Sequence, residues 1–432
     1  MSEVMNIPHG WRYVSVDESS KYLNDGDWIE AEHLSTSGIR LIQTGNIGIG
    51  NFKDGNKKYI SEVTFKQLNC KEIFKNDILI CRLAEPIARS CKLPFDDKSI
   101  TSVDVSIFRP KDTFSSDYIL YAINQQSFLN NANSLSGGST RQRISRSKLK
   151  TLKFLIPNSK KEQEKIAEIL SEVDSAIEHA QALHVKHQKI KTALMQDLLT
   201  HGIDLNGKIR NPKTHAYKPS PLGDIPAEWD VKEIGKIYKE LRTGSTPSRA
   251  IPDYFKGDIL WVTSGELKYK PIYDTIEKIT KEAVRATNLK IYPSGTFFIA
   301  ITGLEAEGTR GSCAIIAKEA TTNQSCMAFE KNDQIDTHFL FQYYKLHGKY
   351  ISLLYSQGSK QQSLNNKIVS KILIHLPPKE EQQKIAQILS SHDEKIEKVK
   401  TKLEKLKQLK TALMQDLLSG TKRVNHLLGE EQ

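Results

Sequence analysis

TALMQDLL at residues 192–199 returns letter for letter at residues 411–418, and EQEKIAEILS at residues 162–171 is answered by EQQKIAQILS at residues 381–390. The separation is the same for both pairs, since 411 − 192 and 381 − 162 are each 219. A constant offset over this span marks a regular element in which one added residue would rotate a periodic face out of place, and the Ala, Leu, Glu, Lys and Gln content is helix-forming. Two long helices are therefore predicted. In the second copy Ile385, Leu389, Ile396, Val399, Leu403, Leu406, Leu413 and Leu417 follow alternating spacings of four and three, broken by His392 and Lys410, which is the pattern of a coiled-coil seam. The first copy keeps Ile166, Leu170, Val173, Ile177, Leu194 and Leu198 but places His184, His187 and Lys191 in the same register, so its seam is weaker. Ser159-x-x-Glu162 has capping-box form, Pro377-Pro378 suits a first turn, and Gly202 and Gly420 mark the stops.

The repeat extends into what precedes each helix. Ile7-Pro8-x-x-Trp11 answers Ile225-Pro226-x-x-Trp229, LIQTGNI (residues 41–47) answers LWVTSGEL (260–267), and NDILIC (76–81) answers SGTFFI (294–299). Between these anchors lie short β-branched and aromatic runs punctuated by Gly, Asn and Asp, so each half opens with a mixed, strand-rich domain. The expected fold is α+β: two strand-rich domains at 1–157 and, after a polar connector, within 203–377. They alternate with long helices at 158–202 and 378–420 in a pseudo-two-fold repeat, followed by a polar tail at 421–432.

Lys and Arg outnumber Asp and Glu by 62 to 51, for a formal charge of +11, the sign that suits a polyanionic partner. The cysteines Cys70, Cys81, Cys91, Cys313 and Cys326 are scattered without zinc spacing and read as reduced thiols. No segment has the apolar length of a membrane helix, so a cytoplasmic protein with no membrane partner is expected.

The duplicated IPxxW entries, the run TGSTPSR…YFKGDILWVTSGEL (243–267), the P-x-x-x-x-x-Q-x-KIA-x-IL helix entries and the LMQDLL exits closely resemble the specificity subunits of type I restriction-modification systems. The resemblance covers essentially the whole chain. It implies that the two domains are target-recognition domains, each reading one half of a bipartite double-stranded DNA site. It further implies that the helices pair antiparallel, fix the separation of the domains and bind two methyltransferase subunits, through which restriction and motor subunits join. On that view Ile166, Leu170, Ile177, Leu194, Leu198, Ile385, Leu389, Ile396, Leu403, Leu413 and Leu417 form the coiled-coil and partner-docking seam. The chain itself needs no cofactor, and S-adenosylmethionine, ATP and Mg²⁺ act on partner subunits.

For DNA contact, the stretch from Gly137 to Phe154 carries Arg141, Arg143, Arg146, Lys148, Lys150 and Lys153 with no acid, and 358–379 repeats the theme with Lys360, Lys367, Lys371 and Lys379. Gly and Ser let the backbone approach phosphate, cations neutralise it, and a Gln pairs with adenine. The candidates are Ser139, Thr140, Arg141, Gln142 and Arg143 with Ser359, Lys360, Gln361 and Gln362; Arg89 and Ser90 with Thr309 and Arg310; and Thr44 and Asn46 with Thr243, Ser245, Thr246, Arg249, Thr263 and Lys268. The competing explanation for any single one is an ordinary turn residue or solvated basic loop.

The chemistry of a self-contained enzyme is not spelled out. Leu376-Pro377-Pro378-Lys379 lacks the flanks of an adenine-methyltransferase motif, and no phosphate loop of GxxxxGK[ST] form occurs. Pro252-Asp253 followed by Glu266-Leu267-Lys268 matches the loose PD…ExK pattern of metal-dependent nucleases, the alternative being a self-contained nuclease or methyltransferase with fused specificity domains. His184, His187 and His392 are expected to form polar layers in the seam, not a metal site.

Overall fold

In the computed structural model the described residues are 7–138, 141–302, 311–355 and 364–429. They fall into two compact units, Met1–Gln181 with Thr401–Gln432, and Ala182–Lys400. The division passes through the middle of both long helices, Lys160–Thr200 and Lys379–Leu418, of 41 and 40 residues. Each helix is therefore about 60 Å long at about 1.5 Å per residue. Each unit owns one strand-rich domain, the first half of one helix and the second half of the other.

The first unit has a four-stranded antiparallel sheet in the order Ser20–Asp25, Val105–Pro110, Ile78–Cys81, Ser90–Lys92. A second sheet runs Leu34–Ser35, Lys58–Ile60, Ile39–Ile42, Ser99–Thr101, its last pair parallel. Trp11–Ser15 pairs antiparallel with Lys153–Pro157. The second unit repeats the plan. Its four strands run Arg242–Thr243, Cys326–Phe329, Phe297–Ala300, Cys313–Ile315, its mixed sheet Lys278–Ile279, Ile259–Val262, Ala320–Thr322 again ends on a parallel pair, and Asp230–Glu233 pairs with Leu373–Leu376. The two halves share a fold.

The central strands read as unbroken apolar runs because both faces are covered. In Ile78–Cys81 every residue is buried; Ile78 and Ile80 join one core while Leu79 and Cys81 join another, the two-residue alternation of a strand. Phe297 and Ile299 against Phe298 and Ala300 do the same in the second unit.

The helices differ from a free-standing seam. Ile166 and Leu170 lie in the core of the first unit with Leu417 and Val424, and Leu198, Ile385 and Leu389 lie in the core of the second with Trp229. Leu194 and Leu413 pack partly buried against the same cores. The expectation that these residues dock partners is corrected: they are buried in or packed against the domain cores, because each helix end supplies the apolar floor on which a domain folds. Ile177 and Ile396 are half-buried and Leu403 is buried nearer the helix middles. Val424 and Arg423 also make 421–429 more than a polar tail.

Within each unit the two helix segments run antiparallel. In the first, Glu162 bonds Arg423 and Asp174 pairs with Lys410; in the second, Lys191 pairs with Asp393 and Glu381 accepts from the Ile203 N–H. The repeat offset carries Asp174 onto Asp393 and Lys191 onto Lys410, so one ion pair has been built twice. In each case a domain helix joins it: the Tyr121 hydroxyl donates to Asp174 at 2.8 Å, and Gln342 and Lys345 donate to Asp393 at 3.0 and 3.2 Å. The polar interruptions of the seam thus pin helix register and domain together, a role for which apolar contacts are too permissive. Burial and the neighbouring Lys345 hold the Lys191 ammonium below its ordinary value, while Asp393 is pushed up by burial but held below its ordinary value overall by Lys345 and Lys191.

A second device is also duplicated. The carboxylate of Glu381 accepts from both terminal nitrogens of Arg210, from the Trp229 indole at 3.1 Å and from the Ile203 N–H at 2.8 Å. In the first unit Glu162, the repeat equivalent of Glu381, takes Arg423 Nε at 2.7 Å and Nη2 at 3.0 Å, with that guanidinium 5.8 Å from the Trp11 ring. The stop glycines are needed beside it: Gly202 has φ +64°, and a Cβ there would collide with the Glu381 carboxylate and Trp229.

Candidate nucleic-acid interface

In the first unit three of the segments singled out from sequence come together. The turn Thr44–Asn46 is closed by Asn46, whose Oδ1 accepts from the Gln43 N–H at 3.0 Å and whose Nδ2 donates to the carbonyls of Lys53 and Asn56. Arg89 reaches across to it: Nε donates to Ile47 O at 2.9 Å, Nη2 to Thr44 O at 3.0 Å, and Nη1 to Ala84 O and Pro86 O at 2.7 and 3.1 Å. The same loop holds the basic stretch, since the Ala84 N–H donates to Gln142 O and Leu83 bridges Arg143. Arg143 then pairs with Asp104 at 2.8 Å.

This network corrects several expectations. Asn46 and Ser90 are buried, and Asn46 and Arg89 spend their polar groups inside the protein, so none of the three offers an edge to a base. Arg89 is a clip whose planar fork ties two loops by their carbonyls. Replacing it with Ala is expected to destabilise the first unit by roughly 1–3 kcal/mol, the cost of orphaning such acceptors, with Lys failing to rescue because an ammonium cannot span the fork; denaturant midpoints measure both. Arg141 and Gln142 are exposed and remain available, and Thr44 lines a cleft of about 350 Å³ with Trp28, Gln43, Asn56 and Asp104. Trp28 was missed from sequence although it is 68% exposed, its indole bonded to Glu30 at 2.8 Å. A tryptophan inside the polar run NDGDWIE was the signal.

The second unit gathers its candidates likewise. Thr243 is exposed on the strand beside Met327, the Ser245 N–H donates to Thr322 O while Ser245 O accepts from the Trp261 indole, and the Thr246 hydroxyl bonds Gln324. Arg249 stacks on Phe255 and Trp261 with centroids 4.2 and 5.5 Å away and forks onto Glu277, which raises the guanidinium's proton affinity and lowers that of the carboxyl. Thr263 is a cap and no reader: its N–H and hydroxyl both donate to Glu266. Lys268 is exposed. Ser139, Thr140, Thr309, Arg310, Ser359, Lys360, Gln361 and Gln362 lie outside the described residues.

The nuclease pattern is engaged elsewhere. Glu266 caps Thr263 and accepts the Ile276 N–H at 2.8 Å, and Asp253 pairs with Lys256 at 2.7 Å, which holds its carboxyl below the ordinary value. Among the described residues no group of three or more His, Cys, Asp or Glu side chains is placed to hold a metal. The five cysteines are free and buried, Cys91 pushed up to about 12 by burial, which suits packing and not nucleophilic chemistry. No described helix is long and apolar enough to cross a membrane.

The sequence profile of the type I restriction modification DNA specificity domain matches residues 8–187 and again 226–408, one copy over each half of the repeat. The chain belongs to this family. Relatives include the type I restriction enzyme MjaIX specificity subunit of Methanocaldococcus jannaschii, 34% identical over 46% of each chain. The MjaVIII specificity subunit of the same organism is 24% identical over 98% of this chain and 95% of its own length. The chain spans about half the length of the first of these relatives. In fold it is similar to a type I restriction-modification system S subunit from M. genitalium, with a TM-score of 0.61 at 17% identity over 96% of this chain and 97% of that one. It is also similar to a chain from a structure addressing complex assembly and conformational transition of the type I R-M system, with a TM-score of 0.53 at 15% identity over 96% and 98%. The chain thus carries two copies of the DNA specificity domain, in the α+β, twice-repeated fold its sequence predicted.

Proposed function

We propose that the chain reads a bipartite duplex site, one recognition domain per half-site, and docks two methyltransferase subunits on its helices, restriction and motor subunits joining through them. Chemistry then resides on those partners, which would use S-adenosylmethionine, ATP and Mg²⁺. Two readers built on one repeated plan suit two half-sites on one duplex, about one helical turn, roughly 34 Å, apart.

The observation that carries this is where the two copies agree. At the helix entries most identities are explained by burial: Glu, Gln, the first Ile, Ala and Leu of EQ-x-KIA-x-IL are buried in both copies, the Lys and the second Ile are not, and the positions that differ, Glu164 against Gln383 and Glu168 against Gln387, are exposed. At the exits burial explains less. Thr192, Ala193 and Gln196 are exposed and so are their twins Thr411, Ala412 and Gln415, while Ile190, 36% exposed, is matched by Leu409 at 47%. A solvent-facing surface kept twice, on domains whose exposed loops have diverged, supports two copies of one partner and two different DNA half-sites.

Mass measurement of complexes with the methyltransferase subunit tests the docking. Two copies are expected on the unaltered chain, one on Ile190→Asp or on Leu409→Asp, and none on the double variant; two copies on both single variants overturns the assignment. Methylation mapping after exchange of one recognition domain tests the division of labour, a change in both half-sites counting against it.

A further inference from the structure

The second unit carries a cationic cleft that neither the family nor the repeat accounts for. Glu233, Gly235, Lys236 and Lys239 line one wall and Lys367 and Lys371 the other, around a volume of about 470 Å³. The first wall comes from the short helix Ile234–Ile237 and the residues after it, the second from the helix Asn366–Ser370 and its C-cap. All four lysines are exposed. Lys236 lies 3.8 Å from Glu233, and Lys239, Lys367 and Lys371 have no ion-pair partner among the described residues.

A cleft with low-dielectric walls focuses the field of the cations that line it. Gly235 lets the two walls pack closely, since a Cβ there would lie 2.9 Å from the Ser370 side chain. The Asn366 amide donates to Leu241 O at 2.8 Å and clamps the walls at one end, so the lysines project from a fixed frame. Leu241 leads into the Thr243–Arg249 segment, and Lys367 and Lys371 belong to the 358–379 basic stretch, so each wall carries or adjoins a stretch assigned to DNA from sequence.

The corresponding place in the first unit is neutralised. There the helices Val16–Ser19 and Arg146–Thr151 take the two walls, Lys150 pairs with Asp17 at 2.8 Å, Arg146 reaches Asn24 and Asp25, and Lys148 donates to Leu135 O. The cations beside these helices stand at different repeat positions in the two units, engaged by acids or carbonyls in the first and unpaired at Lys239, Lys367 and Lys371 in the second.

We propose that the cleft of Lys239, Lys367 and Lys371 is a phosphate clamp for the DNA backbone, present in the second unit and absent from the first. The inference rests on the DNA-reading function and adds where the second half-site is gripped and that the grip is unequal. A backbone clamp carries charge and no base edge, so it contributes affinity and salt dependence without changing the sequence read.

The test uses the full-length chain and a duplex carrying its methylation site, with affinity measured by fluorescence anisotropy from 50 to 200 mM salt. Each phosphate neutralised contributes about 0.9 to the slope of log affinity against log salt. The triple variant Lys239→Gln, Lys367→Gln, Lys371→Gln is expected to lose between two and three of that slope, so that the ratio of unaltered to variant affinity shrinks roughly 40-fold across the range. The same three positions changed to Arg are expected to keep the slope, which separates lost charge from lost folding, and preference for the site over scrambled duplex is expected to be unchanged in all three proteins. An unaltered slope in the Gln variant, with specific binding intact in the parent, overturns the clamp alone. Unaltered DNA binding together with weakened methyltransferase assembly reassigns the cleft to a protein partner. Failure of the parent chain to prefer its site overturns the DNA-reading function itself.

Discussion

Glu381→Ala is expected to lower the stability of the second unit by about 3–5 kcal/mol, the range for removing one partner of a buried charge pair. The side chain is 8% exposed and Arg210 is 7% exposed, so truncation leaves a buried guanidinium with only the exposed Glu228, 3.7 Å away, to balance it. It also orphans the Trp229 indole N–H and the Ile203 N–H. The location magnifies the effect: Glu381 stands at the start of one long helix, Ile203 just beyond the end of the other, and Trp229 at the entry of the strand-rich domain. Urea unfolding followed by tryptophan fluorescence reads it, because Trp229 reports from the site. The companion variant Glu381→Leu with Arg210→Met is expected to recover most of the loss, since exchanging a whole buried pair for apolar volume is often near neutral. Equal destabilisation by single and double variants would show that packing, and not unpaired charge, is responsible. Glu162→Ala is expected to cost less, because Arg423 is 27% exposed and water screens it.

Acidification is expected to destabilise the second unit through His375. This ring lies in the strand Leu373–Leu376, 8% exposed, with Trp229 and Tyr343 each 5.8 Å away and His347 at 6.4 Å. Burial first, and then the neighbouring His347, hold its pKa down to about 4, against the Leu199 carbonyl, which favours charge. Burial lowers His347 as well. In the unfolded chain His375 titrates near its ordinary 6.5. Between those values the unfolded state binds the extra proton, so stability falls as pH falls. The contribution is fully present above pH 6.5 and is lost progressively down to pH 4, about 3 kcal/mol in all. His375→Leu is expected to flatten unfolding free energy across this window; an unchanged slope would place the acid sensitivity on other groups.

The long helices, their stops and the doubled order of domains were legible from local pattern, because helix periodicity and a constant repeat interval leave their mark in consecutive residues. Asp174, Asp393 and the clasp of Glu162 and Glu381 were not, although Glu162 and Glu381 stood inside the quoted repeats. What made them matter was a partner hundreds of positions away, as with Arg423 for Glu162. The candidate DNA residues divided for the same reason. Arg141, Gln142 and Lys268 are exposed, whereas Arg89, Asn46 and Thr263 are consumed by loops they hold closed.

Sequence by itself determined that this chain is a duplication, two strand-rich specificity domains each followed by a helix of about 40 residues. Those properties are written in spacing and composition, which survive without knowledge of contacts. Tertiary structure alone decided which polar groups are free, that the ends of the helices are domain core and not docking seam, and that one unit leaves its lysines unpaired where the other neutralises them. An arginine's donors are satisfied by whichever carbonyls the folded chain brings within 3 Å, and that proximity is set by strand pairing and core packing across the whole unit.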